Sequence, residues 1–203
     1  MAFLIKTASY KSRKGGMEFI YHGVPADLHG NTLYPLFELR ENLPEVFGKE
    51  ILKYDDHPKR KELPYKTIPK LGCRRGEVLH CSSIHPNLVF QALKSVFPEG
   101  NRSMKFFCIP IEKMAGRKLC LFDMNHPSYE FGLEEDPASA FELITSSTYR
   151  EIRLVPPEAY GFYREWKDRG ERGAPVWGKI PHVFVNGTID VNGLKVIDWR
   201  DPI

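Results

Sequence analysis

The densest run of reactive side chains is His80-Cys81-Ser82-Ser83-Ile84-His85, which places two imidazoles, a thiol and two hydroxyls within six residues. Imidazole can shuttle a proton near neutral pH, or bond a ribose or phosphate oxygen. The run sits at a change of pattern. Val78-Leu79 before it is apolar and suits a buried strand, and Pro86 after it precedes Leu88, Val89, Leu93 and Val96 at helical spacing. The sequence therefore predicts a strand passing into a helix start, with Ser83 as the cap and Pro86 in the first turn. Such a junction leaves backbone N–H groups that can hold an anion.

A third imidazole has a similar setting. Met17 to Val24 reads as a buried strand ending in His22-Gly23. If this strand lies beside the His80 strand, both rings stand at one mouth. Taken singly, each is better explained by a bond to a backbone carbonyl; taken as a pair, the two readings are evenly matched. Glu151 lies in Tyr149 to Val155, whose alternation predicts a strand. A carboxylate there is costly unless it is paired or at an open end. It reads either as the outer face of an edge strand or as an acid that fixes a sugar hydroxyl and stabilises a cation. His80, Cys81 and His85, with Cys73 or His29, are ligand types zinc accepts. Their spacing matches no closed motif, so no metal is expected. Cys81 as a nucleophile with a His base has no family-specific flank.

The elements that must position these residues follow from the chain's periodicities. Phe3 to Ala8 reads as a short strand and Lys11 to Gly16 as a polar turn. Leu33 to Leu43 and Pro44 to Lys53 read as helices, with stripes that include Leu36, Leu39, Val46 and Ile51. Tyr54 to Gly72 is rich in proline and lysine, and Pro58, Pro64 and Pro69 argue against regular helix. Lys105 to Ile111, Leu119 to Asp123 and Phe141 to Ile144 read as strands, and Glu158 to Arg169 as a helix. His182 to Trp199, punctuated by Asn186-Gly187 and Asn192-Gly193, reads as a β-meander. The sum is an α+β fold, in one domain spanning 1–203, with a mixed, mostly antiparallel sheet and short helices.

Composition narrows the class. A length of 203 residues with 42% hydrophobic content is ample for a core. A net charge of +3 is too small to argue for nucleic acid by itself. The basic residues do cluster from Lys59 to Arg75, either as a solvated loop or as a rim for phosphates. Four cysteines without a CxxC pair point to a reducing, cytoplasmic setting. No stretch is long enough to span a membrane.

Three short patches carry a family resemblance. Phe19-Ile20-Tyr21-His22-Gly23 resembles the first-strand histidine motif of the ADP-ribosyltransferase superfamily. Val78-Leu79-His80-Cys81-Ser82-Ser83 resembles its second motif strand, and Ser147-Thr148-Tyr149-Arg150-Glu151-Ile152 its third. Leu154 to Tyr160 is similar to the exit from that third strand in RNA 2′-phosphotransferases and DNA-modifying toxins of the fold. The resemblance implies a split-sheet fold and NAD as substrate, with nicotinamide released. His22 and Gly23 would then hold the adenosine ribose, and His80, Ser82 and Ser83 the nicotinamide ribose. Glu151 would steady the oxocarbenium-like transition state, with His80 assisting catalysis. Tyr149 stands where protein-modifying members carry Glu or Gln, which points away from arginine modification. It leaves nucleic-acid modification, a related ribose or phosphate transfer, or a degenerate binding fold, with the Lys59–Arg75 loop holding phosphates or the acceptor. Beside this transferase reading stand a non-enzymatic module binding a nucleotide, nucleic acid or protein, and a metal-dependent hydrolase using His80, Cys81 and His85.

Overall fold

A computed structural model of the chain describes residues 17–171 and 175–203. The expected strand Phe3 to Ala8 and the turn after it lie outside the described residues. Strand β1 is Phe19–Gly23 and β2 is Thr32–Leu33. Helices α1 (Leu39–Asn42), α2 (Pro44–Leu52) and α3 (Pro58–Lys61) follow, then β3 (Thr67–Ile68), β4 (Cys73–Arg74), β5 (Val78–Ser82) and α4 (Pro86–Val96). Strands β6 (Lys105–Pro110), β7 (Leu119–Phe122) and β8 (Phe141–Ile144) precede α5 (Pro157–Asp168). Strands β9 (His182–Asn186), β10 (Ile189–Asp190) and β11 (Lys195–Asp198) end the chain. No described helix is long and apolar enough to cross a membrane.

Seven strands form one sheet in the order β11-β6-β1-β5-β9-β7-β8, and every neighbouring pair is antiparallel. The expected α+β architecture with an antiparallel sheet and short helices is therefore present. Alternation along the strands builds a separate core on each face. Tyr21, Phe106 and Cys108 face α4 and α5, and they pack with Val89, Phe90, Leu93, Ala159 and Tyr163. Ile20, Phe107, Ile109, Leu79, Cys81 and Val183 point the other way and are covered by Leu33, Met114, Tyr149 and Ile189. A third cluster, Val78, Phe184, Phe122 and Phe141, lies toward the β8 edge.

The sheet is almost divided in its middle. β1 and β6 share five register pairs, from Phe19↔Pro110 to Gly23↔Phe106, and β5 and β9 share five, from Val78↔Asn186 to Ser82↔His182. β1 and β5 share one, Tyr21↔Ser82. Three strands and four strands thus meet at a single pair and part beyond it.

Several expected elements are built differently. Tyr149 to Val155 is not a strand. It crosses the end of β1, where Tyr149 Oη donates to Phe19 O at 2.8 Å and Glu151 N–H to Glu18 Oε2 at 2.7 Å. Only Ile152 forms a bridge, parallel to Ile84. The alternation arises because Tyr149 enters one core and Ile152 the other. Leu33 pairs with Ile189 instead of starting a helix, and helix is confined to Leu39–Asn42. Pro58 and Pro64 occupy first-turn positions of α3 and of the 3₁₀ turn Leu63–Tyr65, where a missing N–H costs nothing. The C-terminal strands exist but form no meander. β9 lies between β5 and β7, β10 pairs with β2 and β11 with β6. Gly187 (φ 79°) and Gly193 (φ 69°) do turn the chain at both Asn-Gly sites, but each turn redirects it to a different partner strand.

Val24 N–H donates to Lys105 O at 2.8 Å, so alternation aims the amides of Tyr21 and Gly23 at β5. Gly23 lies past the single pair and has no β5 partner there. Amide hydrogen exchange followed residue by residue should find Gly23 exchanging faster than both Tyr21 and His22. Equal protection of all three would mean that the ladder is closed.

Candidate functional site

Where the halves part there is a cavity of about 350 Å³, within the range of small-molecule sites. His22 lines it from the end of β1, Leu79 and His80 from β5, and His182 from β9. The opposite wall comes from the long segment after β2, through Leu36, Leu39, Val46, Tyr54 and Leu63. That wall is held to the sheet by Phe37 N–H donating to Gly76 O at 2.8 Å, with the Phe37 ring tight over Gly76. A Cβ at Gly76 would come within 2.7 Å of that ring, so glycine is required for the close approach. At the mouth, Asp27 and Glu50 are paired with Lys49 and Lys53.

His22 and His80 belong to opposite faces of the sheet. His22 is in register with Phe107 of one core, and His80 with Phe184 of another. They line one cavity because the strands between them have separated. His22 Nδ1 lies 2.7 Å from Gly23 O, and His80 Nε2 lies 3.0 Å from Arg75 O. The His182 ring stands 6.2 Å from the His80 ring and is stacked on Phe184, at an interplanar angle of 14°. His80 is an exposed residue whose ring is open to the cavity and packed against Phe184, 4.6 Å between ring centres. Desolvation by the surrounding protein lowers all three imidazole pKa values: His22 in direction, His80 to about 4 and His182 to about 3. The Arg75 charge adds to the lowering at His80 and His182. The three rings are neutral at pH 7.

Behind His80 is a buried charge cluster. Arg75 donates to Asp136 Oδ2 from Nε at 3.0 Å and from Nη2 at 2.6 Å, and Lys66 Nζ lies 3.8 Å from Asp136 Oδ1. The guanidinium lies 4.5 Å from the centre of the Phe122 ring. Within the basic segment from Lys59 to Arg75, Lys66 and Arg75 share the buried Asp136, while Arg60 and Lys61 are held by exposed pairs with Asp56 and Asp55.

The other expected site residues lie elsewhere. Glu151 does not line the cavity. It accepts a hydrogen bond from Tyr21 Oη at 2.8 Å, near the beginning of β1, and burial raises its carboxyl pKa. Ser82 Oγ donates to Ile84 O at 2.9 Å and accepts from Ile84 N–H at 3.0 Å, closing a tight turn. Ser83 Oγ is buried against Pro181 O at 3.3 Å. Neither serine faces the cavity, and Gly23 contributes only its carbonyl to His22. Ser83 does not cap α4 either; His85 does, its Nδ1 accepting from Asn87 N–H at 3.2 Å. Cys81 points away from His80 into the core beside Ile20, and burial raises its thiol pKa. His80, Cys81 and His85 therefore cannot converge on an ion, and among the described residues no three His, Cys, Asp or Glu side chains are placed to hold a metal.

The sequence reading missed His182 and the Arg75–Asp136 pair. His182 had the same signal as His22 and His80, an imidazole at a boundary of an apolar strand. No protein-family model matches this chain, and comparison with curated proteins and with solved structures gave no match.

Two outcomes are expected. Asp136→Asn removes the only anion from a buried cluster of two cations and should cost about 3–5 kcal/mol in denaturant unfolding. Arg75→Met and Lys66→Met together with Asp136→Leu should recover most of that loss, because no charge is left stranded. As to pH, an imidazole held below its unfolded pKa destabilises the fold once the unfolded chain begins to take up protons. Thermal stability should therefore decline from about pH 6.5 toward pH 4. His182→Phe should reduce the decline, measured as the difference in Tm between pH 7 and pH 4. An unchanged difference would mean that His182 is not held neutral.

Proposed function

We propose that the cleft binds a nucleotide of the NAD class, in a protein of ADP-ribosyltransferase-like layout. One observation carries the reading. His22 of β1 and His80 of β5 come from different faces of a sheet and meet in one cavity where that sheet parts. The lining suits a planar ring with a sugar. It is mostly apolar, has aromatic side chains at Tyr34, Tyr54 and Phe122, and carries neutral imidazoles. Lys49 and Lys53 at the mouth are held only by exposed ion pairs, which contribute little and can be exchanged for phosphate oxygens.

Binding is better supported than transfer. Loss of nicotinamide from NAD generates a ribosyl cation that needs a carboxylate beside it. Glu151 is committed to Tyr21 outside the cavity, and the carboxylates that do line it are Asp27 and Glu50. The order of His22 and His80 along the chain supports ADP-ribosyl transfer as the second reading, with one of those two carboxylates in the role given to Glu151. The internal pairing of the Lys59–Arg75 segment gives no particular support to a nucleic-acid acceptor.

Titration calorimetry with NAD tests the first reading, and release of nicotinamide tests the second. The wild-type chain should bind NAD. His22→Ala should weaken binding by about tenfold, the worth of one hydrogen bond, and Glu151→Gln should leave it unchanged. Absence of NAD binding removes the proposal. Release of nicotinamide that is lost in Glu151→Gln but kept in Asp27→Asn and Glu50→Gln would restore Glu151 to the chemistry.

A further inference from the structure

The hydrogen-bond polarity of the cleft wall can be worked out from its backbone partners. A carbonyl oxygen only accepts, so the nitrogen bonded to it must carry the proton. His80 therefore holds its hydrogen on Nε2, facing Arg75 O, and presents Nδ1 as a bare acceptor. His22 holds its hydrogen on Nδ1, facing Gly23 O, and presents Nε2 as an acceptor. Among the described residues, no protein group bonds the His182 nitrogens, and neither is sealed from solvent. The His182 ring is oriented by stacking on Phe184 and Phe122, and by Trp177 with a ring centre 6.1 Å away. His80 and His182 are diagonal neighbours on one face, since His80 pairs with Phe184 and Ser82 with His182. Their ring centres are 6.2 Å apart, close enough for one small group to bond both. The cation nearest them, Arg75, is bound on two of its nitrogens by Asp136. The wall thus offers a bare acceptor at His80, one acceptor and one N–H at His182, and no uncommitted positive charge.

We infer that His80 and His182 together read an uncharged, donor-bearing group on the ligand's ring, such as a primary amide or a primary amine. This rests on the nucleotide reading of the cleft and goes past it, because it assigns a specificity role to His182 and sets the bare Nδ1 of His80 against an anionic group at that wall. Desolvation by the surrounding protein keeps both rings neutral at pH 7, so His80 Nδ1 stays a bare acceptor and His182 keeps one acceptor nitrogen. In a dinucleotide of the NAD class two groups have this chemistry, the carboxamide of nicotinamide and the amino group of adenine.

The test is calorimetry at pH 7 with NAD and two matched pairs of uncharged probes. The pairs are nicotinamide against methyl nicotinate, and adenosine against purine riboside, which lacks the amino group. In one pair the donor-bearing member should bind about tenfold more tightly, and that pair identifies which end of the dinucleotide enters. His182→Phe keeps the aromatic stack but has no ring nitrogen, and should erase the preference. His182→Gln, which retains an acceptor, should keep it. If NAD binds but both members of each pair bind alike, or if His182→Phe keeps the preference, the inference is overturned and the nucleotide reading stands. If NAD does not bind, both fall together.

Discussion

One register pair, Tyr21 with Ser82, joins the two parts of the sheet, and the site depends on how little else joins them. A fully zipped β1–β5 ladder would keep His22 and His80 on opposite faces, because side chains alternate along a strand. Parting the strands one step after that pair lets both imidazoles turn into the gap. The open edges have a cost, since unpaired backbone N–H and C=O groups need other partners. It is borne at the end of the sheet where a cavity, and not a core, lies between the strands. Full ladders on both sides, β6 against β1 and β9 against β5, keep each half rigid up to the gap.

The second constraint is electrostatic. Arg75 is 7% exposed and would be prohibitively costly to bury alone. Asp136 and the faces of Phe122 and Phe184 surround its guanidinium, while its own carbonyl receives His80. A buried ion pair adds little net stability, but it holds groups in one arrangement. Here it fixes the carbonyl that sets the His80 tautomer. The basic run that looked like a surface for phosphates is in part the framework behind an imidazole.

Much of the architecture could be read from the sequence, where local pattern and tertiary packing agree. The apolar runs of β1, β5, β6, β7, β8 and β9, and the stripe of α4, are elements whose burial matches their periodicity. The failures arise where alternation has a different cause. Tyr149 to Val155 alternates because it passes over the end of the sheet between two cores. The Asn-Gly signals mark real turns, but a turn does not specify which strand the chain joins next. In the site, His22 could be read as a strand-end imidazole, whereas His80, expected at the end of its strand, stands in the middle of β5. Glu151 could be placed only by knowing that Tyr21 points to the face opposite His22 and holds it. His182 required knowing that the last third of the chain returns to the middle of the sheet.

That return has a consequence for synthesis. β9 follows both β5 and β7 along the chain, yet it separates them in the centre of the sheet. Until the ribosome has released this segment, β5 and β7 have no common neighbour, and each presents an unzipped edge to other nascent polypeptides. Maturation of the molecule, and assembly of the His182 wall with it, is therefore a non-local event, of the kind that slows folding.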